Sequence, residues 1–125
     1  MNGVDSKIFS YKFKRMSIKI QRCVDMKIKE IKKNKKQFLS LLLLADEQED
    51  MIDQYLERGT MYVLDDDGIQ CECVVTDEGH GILEIKNIAT KPEAQGKGYG
   101  RILIEFIVEK YKEKYDTVIV VAHKM

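Results

Sequence analysis

No stretch of this 125-residue chain approaches the apolar length that a bilayer requires. The longest apolar run, FLSLLLLA at residues 38–45, has the length of a core helix, so no membrane partner is expected. The N-terminus lacks an apolar segment followed by a small-residue cleavage site, and no secretory signal is expected. Cysteine is scarce. Cys23, Cys71 and Cys73 are too few and too oddly spaced for a disulfide framework, which points to a reducing cytoplasm. Cys71, Cys73 and His80 together fall one ligand short of a structural zinc site, so no metal is expected. Proline occurs once, at Pro92, leaving long uninterrupted spans for helices and strands.

Net charge is also absent, with 21 basic and 21 acidic side chains, but the balance hides a division. Residues 1–37 carry twelve Lys or Arg against three acids, a net of +9, and the remainder carries −9. A basic arm can grip nucleic acid. No nucleic-acid motif accompanies this one, and it has an acidic body of its own to lie against, so nucleic acid is not the expected partner. Hydrophobic residues at 44% and charged residues at 34% describe a globular chain. At this length roughly two-thirds of the unfolded surface can be buried, enough for one domain with its own core.

Residues 1–25 alternate loosely between basic and apolar and form a basic N-terminal arm. An extra strand, a flexible arm, and a true start at Met16 or Met26 are all open readings. From Met26, MKIKEI alternates as a strand does. KKQFLSLLLLAD then has helical spacing, with Phe38, Leu41, Leu42 and Ala45 on one face. Asp46 and Glu49 have capping-box spacing and predict a second helix with Met51, Ile52, Tyr55 and Leu56 as its apolar stripe, stopped at Gly59. Residues 61–90 read as three strands turning at Asp67-Gly68 and around residues 78–81, and Cys71 and Cys73 fall on one face of a strand. After Pro92, a helix over about 98–114 buries Ile102, Leu103, Phe106, Ile107 and Tyr111. TVIVVA then reads as a buried strand. The fold class is α+β, with mixed α/β layers and a single domain over residues 26–125.

The stretch EAQGKGYGR, residues 93–101, places Gly96, Gly98 and Gly100 in five positions between a strand and a helix. The first turn of a helix offers unpaired N–H groups and a partial positive charge, a ready site for a diphosphate if no β-carbon stands in the way. Lys97 and Arg101 add mobile positive charge. A sharp turn alone needs one glycine; three in alternation favour a phosphate cradle. Lys97 is followed by Gly98, so the Walker A pattern fails, and Gly96, Gly98 and Arg101 miss the third glycine of a dinucleotide fingerprint.

IKNIATKPEAQGKGYGRILIEF resembles the coenzyme A signature of the GNAT N-acetyltransferase superfamily. The loop pattern [Q/R]-x-x-G-x-[G/A] is met by Gln95, Gly98 and Gly100, with the preceding strand and proline in place. The likeness in element order covers about residues 26–122. It implies an acyl-CoA N-acyltransferase fold: a mostly antiparallel sheet with one parallel pair that splays to admit the coenzyme, flanked by helices. Acetyl-coenzyme A is then the expected co-substrate, bound by Gln95, Gly96, Lys97, Gly98, Tyr99, Gly100 and Arg101 at its pyrophosphate and by the strand backbone of Ile88, Ala89 and Thr90 along its pantetheine arm. The implied reaction is direct attack by a primary amine, of a small molecule or a protein, on the thioester.

Glu84 falls where some members carry a general base; a solvent-facing strand carboxylate is the other reading. Asn87 holds a water or the substrate, or is an ordinary polar strand residue. His80 and His123 read as surface residues. The acidic stretch DEQEDMIDQYLE suits a cationic acceptor or simply a solvated helix face.

The resemblance stops at TVIVVA, whereas the family continues with a helix and two strands that carry the tyrosine acid. Two expectations follow. Residues 117–122 would keep an uncovered flank that pairs with a second copy as a homodimer. The chain could also bind coenzyme A without efficient turnover, as a binding or regulatory module or relic.

Overall fold

The computed structural model describes residues 6–12 and 26–123. Its strands are β1 (Ser6–Lys12), β2 (Lys27–Ile31), β3 (Thr60–Asp65), β4 (Ile69–Gly79), β5 (Ile82–Thr90) and β6 (Thr117–His123). The α-helices are α1 (Leu39–Ala45), α2 (Glu49–Asp53) and α3 (Tyr99–Tyr111), and short 3-10 turns precede α1 and follow β5. The six strands form one sheet in the order β1-β6-β5-β4-β3-β2. Every neighbouring pair is antiparallel except β5 and β6.

The two hairpins have a local cause. Asp67 and Gly68 lie at φ of 54° and 109°, and His80 and Gly81 at 56° and 76°. Positive φ at both central residues is what a tight hairpin turn demands, because its twist then matches that of the strands. The sheet separates two apolar layers. On one face α3 lays Leu103, Ile107 and Val108 over Tyr62, Leu64, Cys71, Cys73, Val75 and Val118. On the other, α1, α2 and the turns after α2 bury Leu42, Ile52, Tyr55 and Leu56 against Met61 and Val74. Cys71 and Cys73 thus share a face as the strand period requires, and burial pushes the Cys71 thiol up to about 11.

The structure corrects two expectations. The flank of β6 is not uncovered: β1 runs antiparallel along it, from Ser6 opposite His123 to Lys12 opposite Thr117. The edge on which pairing of two copies through residues 117–122 was expected is occupied by the chain's own N-terminal strand. Residues 13–25, with Met16 and Cys23, lie outside the described residues.

The second helix is also shorter than its apolar stripe suggests. It ends at Asp53, and the chain reaches Gly59 through turns. Asp46 is not its cap, because the Asp46 carboxylate accepts the Tyr55 hydroxyl at 3.2 Å, and the capping residue is Gln48, whose side chain makes no cap bond. Met51 is 43% exposed. The buried Lys35 ammonium donates to Leu56 O at 2.9 Å and Gly59 O at 2.7 Å. It satisfies carbonyls that a longer helix would have used itself.

Candidate active site

β5 and β6 pair over only four positions, from Ile82 opposite Thr117 to Ile85 opposite Val120. Beyond Ile85 the only described partner of β5 is β4, while β6 continues along β1 to His123. The parting coincides with a bulge. Val75 faces Ile85 and Val74 faces Asn87, leaving Lys86 as the extra residue in β5. A bulge bends its strand and sharpens the local twist, and here it opens a cleft between β5 and β6.

The cleft has a defined backbone wall. Lys91 N donates to Gln70 O at 2.9 Å, so the alternation of an antiparallel ladder turns Ala89 and Asn87 toward β4. The backbone groups of Ile88 and Thr90 then face the cleft. Thr90 O accepts the Gln95 side-chain amide at 3.1 Å, which ties the loop to the end of the strand.

The glycine loop meets the cleft at that end. Gly96 and Gly98 lie at φ of 83° and 90°, a region that L side chains avoid, and a β-carbon on either would meet, beyond its chain neighbours, no atom of the described residues within 4 Å. Gly98 is the N-cap of α3 and brings no side chain to cap the amides behind it. The first helical amide to bond back is Ile102 N, to Gly98 O at 3.0 Å, which leaves Gly100 and Arg101 among those a helix cannot satisfy itself. No acid occupies this first turn. Gly100 has ordinary helical backbone, and a β-carbon there would approach only Thr90 Oγ1, at 3.8 Å. Glycine in a helix costs about 1 kcal/mol relative to alanine, and the packing here leaves room for that alanine.

The side chains around the loop are already engaged in part. Tyr99 donates its hydroxyl to Asp66 at 2.6 Å, fastening the start of α3 to the β3–β4 turn. Arg101 Nε pairs with Glu105 at 3.0 Å and remains largely in solvent, while Lys97 is exposed. Ile88, Ala89 and Thr90 are thus gathered with Gln95 through Arg101 at the open end of the cleft. Glu84 is not with them. It stands at the closed end, paired with β6 opposite Ile119, its carboxylate 3.2 Å from the Lys86 ammonium.

Asn87 is buried on the face covered by α1. Its Nδ2 donates to Leu42 O at 3.0 Å and to the Tyr55 hydroxyl at 2.9 Å, and its Oδ1 has no partner among the described residues. Beside it lies a group that sequence reasoning missed. Glu72 points to the same face, in register with Ala89 and two pairs from Asn87, and is fully buried, with neither carboxylate oxygen partnered among the described residues. Burial pushes its carboxyl well above the usual range, and burial also raises the Tyr55 hydroxyl. The available signal was an acid between two cysteines in the otherwise apolar run CECVV.

A family model described as an acetyltransferase (GNAT) domain matches residues 57–124, more than half of the chain. The chain belongs to the GNAT acetyltransferase family. The mixed sheet with its one parallel pair, flanked by helices, is that expected of a GNAT domain. Over 74 residues the chain is 40% identical to an uncharacterized N-acetyltransferase, YvbK, of Bacillus subtilis strain 168, covering 58% of this chain and 48% of that one. A GNAT acetyltransferase of Elizabethkingia anophelis solved with acetyl-CoA bound is 30% identical, with a TM-score of 0.72 over 78% of this chain and 65% of its own. A Bacillus subtilis acetyltransferase solved with CoA is 35% identical, with a TM-score of 0.65 over 70% of this chain and 59% of its own. The chain spans about half the length of the curated relative, 48%, and somewhat more of the solved ones.

Proposed function

We propose that this chain moves an acetyl group from acetyl-coenzyme A to a primary amine of a small molecule or a protein. One observation carries the reading: the unpartnered edge of β5 and the uncapped start of α3 open onto the same space. The amides of Gly100 and Arg101, with Lys97 nearby, would hold the diphosphate, and Gly96 and Gly98 keep its approach clear. The cleft-facing backbone of Ile88 would pair with the amide-bearing arm as a sheet edge pairs with a strand. Bound acetyl-coenzyme A supplies the electrophilic thioester carbonyl. Glu84, with Lys86 as its counter-ion, takes a proton from the attacking amine, and Asn87 Oδ1 orients the acceptor or a water. The free buried thiols of Cys71 and Cys73 suit a reducing cytoplasm.

A second reading is coenzyme binding without turnover, since Glu84, the candidate base, stands at the closed end of the cleft and apart from the loop. Calorimetric titration with acetyl-coenzyme A, followed by thiol release with a panel of amines, tests both. Saturable binding with amine-dependent thiol release is expected. Glu84→Gln should lower turnover by about a hundredfold while leaving coenzyme affinity unchanged. Binding without release favours the second reading, and no binding at about 1 mM refutes both.

A further inference from the structure

Resting on that reading, we infer that Glu72 and Asn87 form the floor of the acceptor site, where they receive an ammonium group of the acceptor distinct from the amine that Glu84 deprotonates. Three oxygens lie on that face of the sheet, Glu72 Oε1 and Oε2 and Asn87 Oδ1, all buried and none with a donor among the described residues. Buried acceptors left without donors are costly and rare, so their grouping calls for a ligand that brings donors only. A primary ammonium brings three N–H donors and no acceptor.

The surroundings fix the size and charge of the guest. Glu72 is flanked in register by Val63 and Ala89, and Val74 and Leu42 lie on the same side of the sheet. Such walls admit a small group of single charge that one carboxylate can neutralise. Tyr55 already spends its hydroxyl hydrogen on Asp46, and both Asn87 donors are directed to Leu42 O and Tyr55, so none of them serves the vacant oxygens. Ala89 is the small residue that separates Glu72 from the cleft wall at Ile88 and Thr90. Entry requires the cover to shift. That cover is α1, α2 and the turn that follows α2, latched to the sheet by the Asn87 bonds to Leu42 in α1 and to Tyr55 in that turn.

The balance of the binding step makes it measurable. Without a guest the Glu72 carboxyl keeps its proton, so R–NH3+ and Glu72–COOH give R–NH3+ paired with Glu72–COO−, and one proton passes to solvent. The full chain, saturated with coenzyme A, is titrated with ethylammonium chloride in buffers of different ionisation heat. Saturable binding with release of close to one proton is expected in the wild type, and Glu72→Gln should weaken it at least tenfold and release none. Tetramethylammonium, which carries the charge without N–H groups, should not bind. Ethylammonium that fails to saturate at tens of millimolar, binds without proton release, or binds Glu72→Gln equally overturns the assignment. So does equal binding of tetramethylammonium or magnesium. The prior titration with coenzyme A separates the failures: loss there defeats the acetyl-transfer reading, while loss only with the ammonium probe defeats this one. The wild-type proton count stands without any variant, so a poorly folding Glu72→Gln does not blunt the test.

Discussion

Adding one methyl group at Gly98 and the same methyl at Gly100 should have opposite consequences. Gly98 sits at φ of 90°, where an L side chain is strained by about 1–2 kcal/mol, although its β-carbon would meet, beyond its chain neighbours, no atom of the described residues within 4 Å. The stability cost of Gly98→Ala is therefore backbone strain alone, equivalent to a fall in melting temperature of roughly 5 °C or more for a domain of this size. Strain relieved by rotating the loop would turn the amides at the head of α3 away from their common focus. Acetyl-coenzyme A affinity should then fall at least tenfold, about 1.4 kcal/mol. Gly100 has helical backbone and room, with Thr90 Oγ1 at 3.8 Å from the added carbon. Gly100→Ala should raise stability by roughly 0.5–1 kcal/mol and keep coenzyme affinity, since the loop pattern accepts alanine there. Differential scanning calorimetry and isothermal titration on the two variants separate fold from ligand. If Gly98→Ala bound acetyl-coenzyme A as tightly as wild type, the loop would be a turn and not a cradle.

Glu72 also predicts how stability depends on pH. The unfolded carboxyl ionises in the ordinary range and the folded one well above it, so the stabilisation is complete at low pH and is lost as pH rises toward the folded value. Unfolding free energies of the wild type from urea titrations should fall across that window by up to about 1.4 kcal/mol per pH unit relative to Glu72→Gln, and parallel profiles would contradict a buried neutral acid. Removal of residues 1–25 should strip β1 from the flank of β6 and leave an apolar edge open. Sedimentation velocity is expected to show self-association of the shortened chain and not of the full one, and two monomeric chains would show that β1 does not guard that edge.

What could be read from the sequence was what nearby residues decide. The hairpins at Asp67-Gly68 and His80-Gly81, the helix after Gly98 and the strand before Pro92 all depend on residues within a few positions of one another. The early stop of α2 was hidden because Lys35, some twenty residues upstream, satisfies the carbonyls of Leu56 and Gly59. β1 was hidden because its pairing joins residues more than a hundred positions apart, and weak alternation in a basic arm does not say which edge it will find. The period of two placed Glu72 on the face opposite Cys71 and Cys73. Nothing local said that α1 and Tyr55 would close over that face and leave the acid without a donor among the described residues.

The cleft and the cradle share an end of the sheet for one topological reason. Parallel strands cannot be joined by a tight turn, so β5 must reach β6 through a crossover, here α3. The chain leaves the carboxyl end of β5 and enters the amino end of the helix, which sets the helix amides beside the last residues of that strand. That much holds for any such unit, and alone it gives an anion site with a closed sheet beneath it. The single extra residue at Lys86 supplies the rest. It bends β5 away from β6 after Ile85 and frees the backbone of Ile88 within the reach of the same loop. Because a bulge also breaks the alternation, it carries Asn87 to the α1 side with Glu72, where regular pleating would have sent it into the α3 layer. One inserted residue thus opens the edge that the arm of a thioester would pair with and turns toward the opposite face the amide that the acceptor would meet.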